Sequence, residues 1–286
     1  MKFTKLQGAG NDFILVDAGD VQRDWSPVAR AICDRHFGVG GDGLLLLLPS
    51  AVADFKMRIF NSDGSEAEIC GNGLRCLAKY LVDNRLNGEH VGEITVETQA
   101  GIRRIKLQRA GKETKIQVGM GEPRFGARDI PVVIEGMRRD SSLDITPIMD
   151  YHVTVDGIEL YLSLVSMGNP HAVHFTRYPV SEFPLAQLGP KIEQHKIFPQ
   201  RTNFEVARII SRKSIEARVW ERGVGETLAC GSGACAVVVA AQLHRYIDNK
   251  AAIELPGGVL ELEWDGRGEI LLSGPVQTVF TGDWLE

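Results

Sequence analysis

The chain has 286 residues, 44% of them hydrophobic and 24% charged, with 32 basic and 37 acidic side chains for a formal net charge of −5. The length is about twice that of a typical domain, and the composition excludes disordered, collagen-like and coiled-coil chains. The acidic balance offers no basic face to nucleic acid or anionic lipid, so the expected partner is a small molecule, with no nucleic acid and no membrane.

In chain order, the opening stretch Met1 to Asp12 contains Gln7 and Asn11 and lacks the apolar core of a signal peptide, and a cytoplasmic location is expected. A helix is expected over Pro27–Cys33, with Ser26 as its cap and proline at its first position. Alternating apolar residues predict strands over Phe55–Phe60, Ile94–Thr98, Ile102–Leu107, Lys115–Val118, Ile158–Val165, Ile215–Trp220, Leu260–Trp264 and Val276–Thr281. Further helices are expected over Leu74–Asp83, Pro184–Leu188 and Gly233–Arg245. The apolar runs Leu44–Leu48 and Ala234–Ala241 fall short of the roughly 18 residues that cross a bilayer. Helices are too sparse for repeated strand-helix-strand crossovers, so antiparallel or mixed sheets around one or two central helices are expected. The polar stretch Pro123–Pro147 is the expected boundary region.

The 31 glycines exceed the average usage of roughly 7% and cluster where strands end, at Gly8–Gly10, Gly38–Gly43, Gly71–Gly73, Gly223–Gly225 and Gly231–Gly233. An offset of 160 lays Phe55-Lys-Met-Arg-Ile-Phe60 and the segment through Gly73 on Ile215 through Gly233 without a gap. Arg58 then meets Arg218, Glu66 meets Glu226, Cys70 meets Cys230, and Gly71 and Gly73 meet Gly231 and Gly233. An offset of 158 lays Lys5–Asp17 on Ser163–Phe175, so that Gly10 and Asn11 meet Gly168 and Asn169. Two patches at nearly one offset, both in glycine turns, imply a duplication and two similar halves that face each other.

Five cysteines, Cys33, Cys70, Cys76, Cys230 and Cys235, are too few and odd in number for a secreted disulfide framework, and reduced thiols are expected. Cys70 and Cys230 each precede Gly-x-Gly and a helix. Backbone N–H groups and the positive helix end make such a turn a seat for a carboxylate or phosphate, and are expected to lower the thiol pKa. Zinc is disfavoured, because Cys76 and Cys235 turn by about 240° and about 140° from their partners at about 100° per residue; they are expected in the core with Leu77, Leu81, Val238 and Ala241. His171 and His174, three apart on an extended segment, face opposite sides. Phosphate-loop and dinucleotide motifs are absent, so no metal and no cofactor is expected. Two matched thiols beside anion seats suit the inversion of a carbon next to a carboxylate, with one base per face, and imply a cofactor-independent racemase or epimerase.

Asn61-Ser-Asp-Gly-Ser-Glu-Ala-Glu-Ile-Cys70-Gly-Asn-Gly-Leu-Arg75 resembles the signature of the diaminopimelate epimerase family, and Glu221-Arg222-Gly223 with Thr227-Leu-Ala-Cys230-Gly-Ser-Gly233 resembles its second-half counterpart. Gly10-Asn11-Asp12-Phe13, Gly168-Asn169-Pro170-His171 and Thr202-Asn203 match in order and spacing, so the likeness covers nearly the whole chain. The resemblance implies an α+β fold of two pseudo-symmetric homologous domains, each a mixed, mostly antiparallel, barrel-like β-sheet wrapped around a central helix, with the active site in the cleft between them. It implies domains of residues 1–122 with 275–286 and of 123–274, a homodimer, and interconversion of LL- and meso-diaminopimelate in the lysine and peptidoglycan precursor route without pyridoxal phosphate. Cys70 and Cys230 would be the acid/base thiols. Gly71, Asn72, Gly231 and Ser232 would donate backbone N–H groups to the reacting carboxylate, and Asn11, Asn61, Asn169, Asn203, Glu221 and Arg222 would hold the remaining amino and carboxylate groups. His171 and Glu221 would tune the thiols. The chain departs from some members at Gly43, where they carry glutamine.

Two other readings compete. A proline or hydroxyproline racemase shares the two-thiol chemistry, but Gly-Asn-Gly follows Cys70 where that family has Gly-His-Gly, and Arg222 with four asparagines suits a bipolar substrate. A binding protein that lost catalysis would have no need of both Cys70 and Cys230.

Overall fold

Alternation of apolar residues decides where this chain pairs, and glycine decides where it turns. The computed structural model describes residues 1–19, 21–68, 70–86, 92–110, 113–134 and 146–285. The chain divides into two compact units, Met1–Gly119 with Ser273–Glu286 and Met120–Leu272. Ile69 of the first signature and residues 135–145 of the stretch Pro123–Pro147 lie outside the described residues.

In chain order the first unit contains β1 (Lys2–Gly8), β2 (Asn11–Asp17), α1 (Trp25–Cys33), β3 (Gly43–Leu48), β4 (Phe55–Asn61), β5 (Glu66–Ala67), α2 (Gly71–Asp83), β6 (Gly92–Thr98), β7 (Gly101–Ala110) and β8 (Glu113–Gly119). The second unit has β9 (Tyr151–Val155), β10 (Ile158–Ser166), β11 (Pro170–Phe175), α3 (Leu185–Glu193), β12 (Asn203–Ser211), β13 (Ser214–Glu221), β14 (Gly225–Thr227), α4 (Gly231–Leu243), β15 (Lys250–Leu255) and β16 (Gly258–Glu263). After the short β17 (Leu271–Ser273) the chain returns to the first unit as β18 (Gln277–Asp283), antiparallel to β1.

The first sheet runs β18-β1-β2-β3-β4-β6-β7-β8, antiparallel except at β2/β3 and β4/β6. It packs around α2, which touches strands from both ends and the middle of that order, from β18 and β1 to β8. The second runs β9-β10-β11-β12-β13-β15-β16, antiparallel except at β11/β12 and β13/β15, and packs around α4. Each central helix is buried for the reason its sequence gives. Leu74, Cys76, Leu77, Ala78 and Leu81 of α2 are buried, and α4 is buried at every position from Gly233 to Ala241, so it is apolar all round.

The duplication extends to strand register. Leu44 pairs with Phe60 and Ile59 with Ala67 in the first unit; in the second, Phe204 pairs with Trp220 and Val219 with Thr227, the same partners moved by 160. Both central helices also end alike. Arg85 and Arg245 take left-handed φ angles of 57° and 61°, and the N–H groups of Leu86 and Tyr246 reach back 2.9 Å to the carbonyls of Leu81 and Ala241. A non-glycine residue in that conformation costs about 1–2 kcal/mol, which the two recovered terminal hydrogen bonds offset.

The expected strands all form, with only Trp264 and Val276 falling one residue outside β16 and β18. The helix starts differ. Asp24, not Ser26, caps α1, its carboxylate accepting the Ser26 N–H at 3.0 Å; Pro27 is third in the helix, still within the first turn where a missing N–H costs nothing. Helices α2 and α4 begin at Gly71 and Gly231 because the cysteine before each is itself the cap. The last of these ends at Leu243, and α3 runs on past Leu188 through Gly189 and Pro190. Among the described residues, no helix is long and apolar enough to cross a membrane.

Gly189 is required by packing. A Cβ there would lie 2.5 Å from Cδ2 of the Trp220 indole, which is itself fixed by donating its Nε1–H to Glu193 at 2.8 Å. Gly189→Ala is therefore expected to destabilise the protein by about 1–3 kcal/mol, read as a lower urea midpoint with an unchanged slope; an unchanged midpoint would show that α3 shifts freely.

Candidate active site

Each unit presents the same strand, turn and helix, built on an arginine-glutamate clasp. Arg58 Nε and Nη2 hold both oxygens of Glu66 at 2.7 and 2.8 Å, and Arg218 Nε and Nη2 hold Glu226 at 2.8 and 2.9 Å. These bidentate pairs fasten β5 to β4 and β14 to β13, so the chain leaves each hairpin aimed at the helix start. Cys70 and Cys230 then stand at the N-cap with extended backbone, φ −145° and −122°, and each sulfur accepts an N–H three residues on, from Gly73 and Gly233, at 3.4 Å. The first two N–H groups of each helix, from Gly71 and Asn72 and from Gly231 and Ser232, have no intrahelical acceptor by construction and point out beside the sulfur.

Around Cys70 the structure gathers Asn11 and Asn72. Asn11 Oδ1 lies 3.9 Å from the Cys70 sulfur and accepts from Asn72 Nδ2 at 3.2 Å. Behind them, Arg75 is fully buried and donates to Asn72 Oδ1 at 2.8 Å, and Asp42 accepts from Asn11 Nδ2 at 2.6 Å. Lys5 and Arg35 hold the neighbouring Asp12 at 2.6 and 2.7 Å, and Lys5 also donates to the Gly40 carbonyl. Burial pushes the Asp12 carboxyl up, but bonds from Arg35 and Lys5 outweigh it and leave the group at about 2. The stability this contributes is present above the ordinary value of 3.8 and lost as pH falls towards 2. Asn61, by contrast, spends its amide locally, donating to Ser65 Oγ at 2.9 Å. Gly43 pairs with Asn61, and a Cβ there would meet the Phe60 carbonyl at 2.7 Å, so backbone fills the place where a side chain would begin.

Around Cys230 the structure gathers Ser232, Asn169 and His171. Ser232 Oγ lies 3.5 Å from the sulfur and accepts from Asn169 Nδ2 at 3.5 Å; Asn169 Oδ1 lies 3.0 Å from His171 Nε2. Asn203 is buried and ties two backbones together, donating to the Pro170 carbonyl at 2.8 Å and accepting the Arg222 N–H at 2.9 Å. The Arg222 guanidinium donates to the Gln200 carbonyl at 3.1 Å, and Glu221 accepts from Thr227 Oγ1 at 2.6 Å. His174 serves elsewhere, beside the Tyr161 carbonyl.

Two residues at these sites, Asp42 and Glu205, lie outside both signatures, and Arg75 closes the first of them. Glu205 is fully buried with Oε1 2.7 Å from His171 Nδ1. It stands in the run Asn203–Ala207, buried at every position.

The expectation that the helix start lowers both thiol pKa values fails for Cys230. Burial pushes this thiol well above its ordinary value, the Glu221 carboxylate raises it further, and the bonds from Ser232 and the Gly233 N–H do not compensate. A helix terminus contributes about 0.3–1 kcal/mol at exposed sites and up to about 2 in partly buried ones. Full burial of an ionisable group shifts its pKa by as much as about 3–5 units, at 1.36 kcal/mol each. Cys33, also buried, is pushed up to about 12, and Cys76 rises for the same reason, so neither is a reactive thiol. No disulfide joins any of the five cysteines. Site-resolved alkylation with iodoacetamide is expected to rise at Cys230 beyond pH 9, the ordinary value of a thiol, and Glu221→Gln should move that rise to lower pH; a plateau at Cys230 below pH 9 in the unaltered protein would refute the assignment.

The profile of the family described as diaminopimelate epimerase matches residues 3–126 and 163–279. A diaminopimelate epimerase of Methanococcus maripaludis is 46% identical over 287 residues, covering 99% of both chains. One from Acetivibrio thermocellus is 46% identical over 286 residues, covering 99% of this chain and 98% of its own. Among solved structures, a Bacillus anthracis phenazine biosynthesis protein of the PhzF family superposes with a TM-score of 0.70 at 18% identity, covering 100% of this chain and 99% of its own. A hydroxyproline epimerase from Agrobacterium vitis superposes with a TM-score of 0.69 at 14% identity, covering 99% of this chain and 90% of its own. At such identities these two show a shared fold. With its profile and its relatives matched over nearly the whole length, the chain belongs to the diaminopimelate epimerase family of isomerases.

Proposed function

We propose that this protein interconverts LL- and meso-diaminopimelate by a two-base mechanism in which Cys70 and Cys230 act on opposite faces of one α-carbon. The observation that carries the reading is the duplicated cap: two cysteines at equivalent positions, each with its sulfur on the third N–H of a helix and the first two N–H groups left for a ligand. In one direction a thiolate takes the α-proton, forming an S–H bond as the C–H bond breaks and leaving a carbanion beside the carboxylate. The opposing thiol then gives its proton to the other face, and the enzyme is left with thiol and thiolate exchanged. The raised pKa of Cys230 fits the proton-bearing partner at rest.

The carbanion needs charge stabilisation without solvent reorganisation, and helix N–H groups supply it. In this reading the N–H groups of Gly71, Asn72, Gly231 and Ser232 receive the reacting carboxylate. Asn11, Asn61, Asn169, Asn203, Glu221 and Arg222 bind the remaining ammonium and carboxylate groups, and His171 and Glu221 set the charge around Cys230. The domain division is that of residues 1–122 with 275–286 and 123–274. No metal and no organic cofactor takes part. A cytoplasmic homodimer serving lysine and peptidoglycan precursor synthesis, without nucleic-acid or membrane partners, completes the proposal.

The test is proton NMR in D2O with reduced protein, no added cofactor, and LL-diaminopimelate or L-proline. Loss of the α-proton signal and appearance of the meso isomer are expected with diaminopimelate alone. Cys70→Ala and Cys230→Ala should each lower epimerisation by about 10²–10⁴-fold. Exchange of proline would overturn the substrate, and exchange of neither would overturn the enzymatic reading in favour of binding without catalysis.

A further inference from the structure

The duplication leaves one pair of equivalent positions chemically unlike. In the first unit a Cβ on Gly73 would meet Leu45 Cδ2 at 3.1 Å; in the second, a Cβ on Gly233 would meet Glu205 Oε1 at 2.9 Å. Leucine and glutamate thus occupy the same place under the two cysteine turns. Glu205 sits on β12 with Val173 and Val219 as its cross-strand neighbours, both fully buried or nearly so. A carboxylate in such surroundings is costly unless neutralised or paired.

The partner is His171, and the protons can be counted. Oε1 lies 2.7 Å from Nδ1, while Oε2 has no partner among the described residues. Nε2 lies 3.0 Å from Asn169 Oδ1, and an amide oxygen only accepts, so Nε2 carries a hydrogen. The hydrogen bond at Nδ1 then holds a second proton, written either as imidazolium with carboxylate or as imidazole with carboxylic acid. Both forms are net neutral. Burial raises the Glu205 pKa and His171 opposes the rise, in keeping with a shared proton. The reversed amide would require Nε2 to accept and Nδ1–H to donate to Oε1, leaving Glu205 either an ionised carboxylate beside a neutral imidazole or an acid whose proton on Oε2 meets no partner among the described residues; both are expensive inside the sheet.

We propose that Glu205 is a positioning residue which, through His171, locks the Asn169 amide with its oxygen inward and its NH2 turned to Ser232 and the Cys230 turn. The donor side of Asn169 is thereby offered to an anionic group of the ligand, and the Ser232 hydroxyl is held within reach of the sulfur. The proposed role in catalysis rests on the two-thiol reading above; the proton arrangement does not.

Long-range ¹⁵N–¹H NMR of the His171 ring in the unaltered protein tests the arrangement directly, and Nε2 is expected to be protonated. Glu205→Leu places in the second unit the residue that the first unit already accommodates. It should leave the ring in a mixture of tautomers and lower kcat for diaminopimelate by about 10–100-fold, with a smaller change in KM. Glu205→Gln, whose amide NH2 can donate to Nδ1, should keep Nε2 protonated and restore most of kcat; it carries the test if the leucine variant does not fold. An unprotonated Nε2 in the unaltered protein overturns the proposal. So does a folded Glu205→Leu with unaltered kcat and ring signals, which would leave Glu205 a structural role only. If the unaltered protein does not act on diaminopimelate, the proposed function fails while the ring signals still decide the arrangement.

Discussion

The chemistry of each half depends on a contact between a cysteine sulfur and the N–H of a glycine three residues later. That contact sets the first turn of the helix, leaves two N–H groups free beside the sulfur, and fixes the direction of the Cα–Cβ bond. A side chain on the third residue would have to displace Leu45 in one unit and Glu205 in the other, which press to about 3 Å of where its Cβ would stand. The arginine-glutamate clasps, the matched strand registers and the buried helices serve to bring the chain to that point in the same attitude twice. A sulfur so held retains little rotational freedom, which is what a base acting on one face of a carbon needs.

Within that shared frame the two units differ in the polar groups buried beneath them. Arg75 lies under the first turn and orients Asn72; Glu205 lies under the second and faces His171. The position equivalent to Arg75 is Cys235, fully buried among apolar residues of α4. A duplicated scaffold with unlike buried polar groups beneath it suits the proposed reaction, which begins with one sulfur protonated and the other not. Burial at Cys230 outweighs the helix terminus, so the resting proton is held by desolvation and neighbouring carboxylates.

Much of the fold was legible in the sequence because half-buried strands alternate, as Phe55–Phe60 and Ile215–Trp220 do. β3 shows why some was not: Gly43–Leu48 is buried on both faces and carries no period. Helix starts were set back because Gly-Asn-Gly and Gly-Ser-Gly are poor helix formers, and only the sulfur contact makes them the first turn. Asp24 and Ser26 are both good caps, and which one serves depends on where the chain enters the helix. At the site, Cys70 and Cys230 announce themselves by the repeat. Glu205 does not, because polar residues at alternate positions of a strand ordinarily read as facing solvent, and here the sheet is covered on both sides. The direction of the Cys230 shift was hidden for the same reason: sequence shows the helix start but not the depth of burial.

Gly43 and Asn203 occupy equivalent places in the two sheets, paired with Phe13 and His171 respectively on the parallel neighbouring strands. The glycine lies flush against the Phe60 carbonyl, with no room for a Cβ. Any side chain at that position therefore presupposes a β3/β4 pairing relaxed by a few tenths of an ångström or more. The identity of residue 43 is thus set by the backbone around residue 60 and not by a ligand alone.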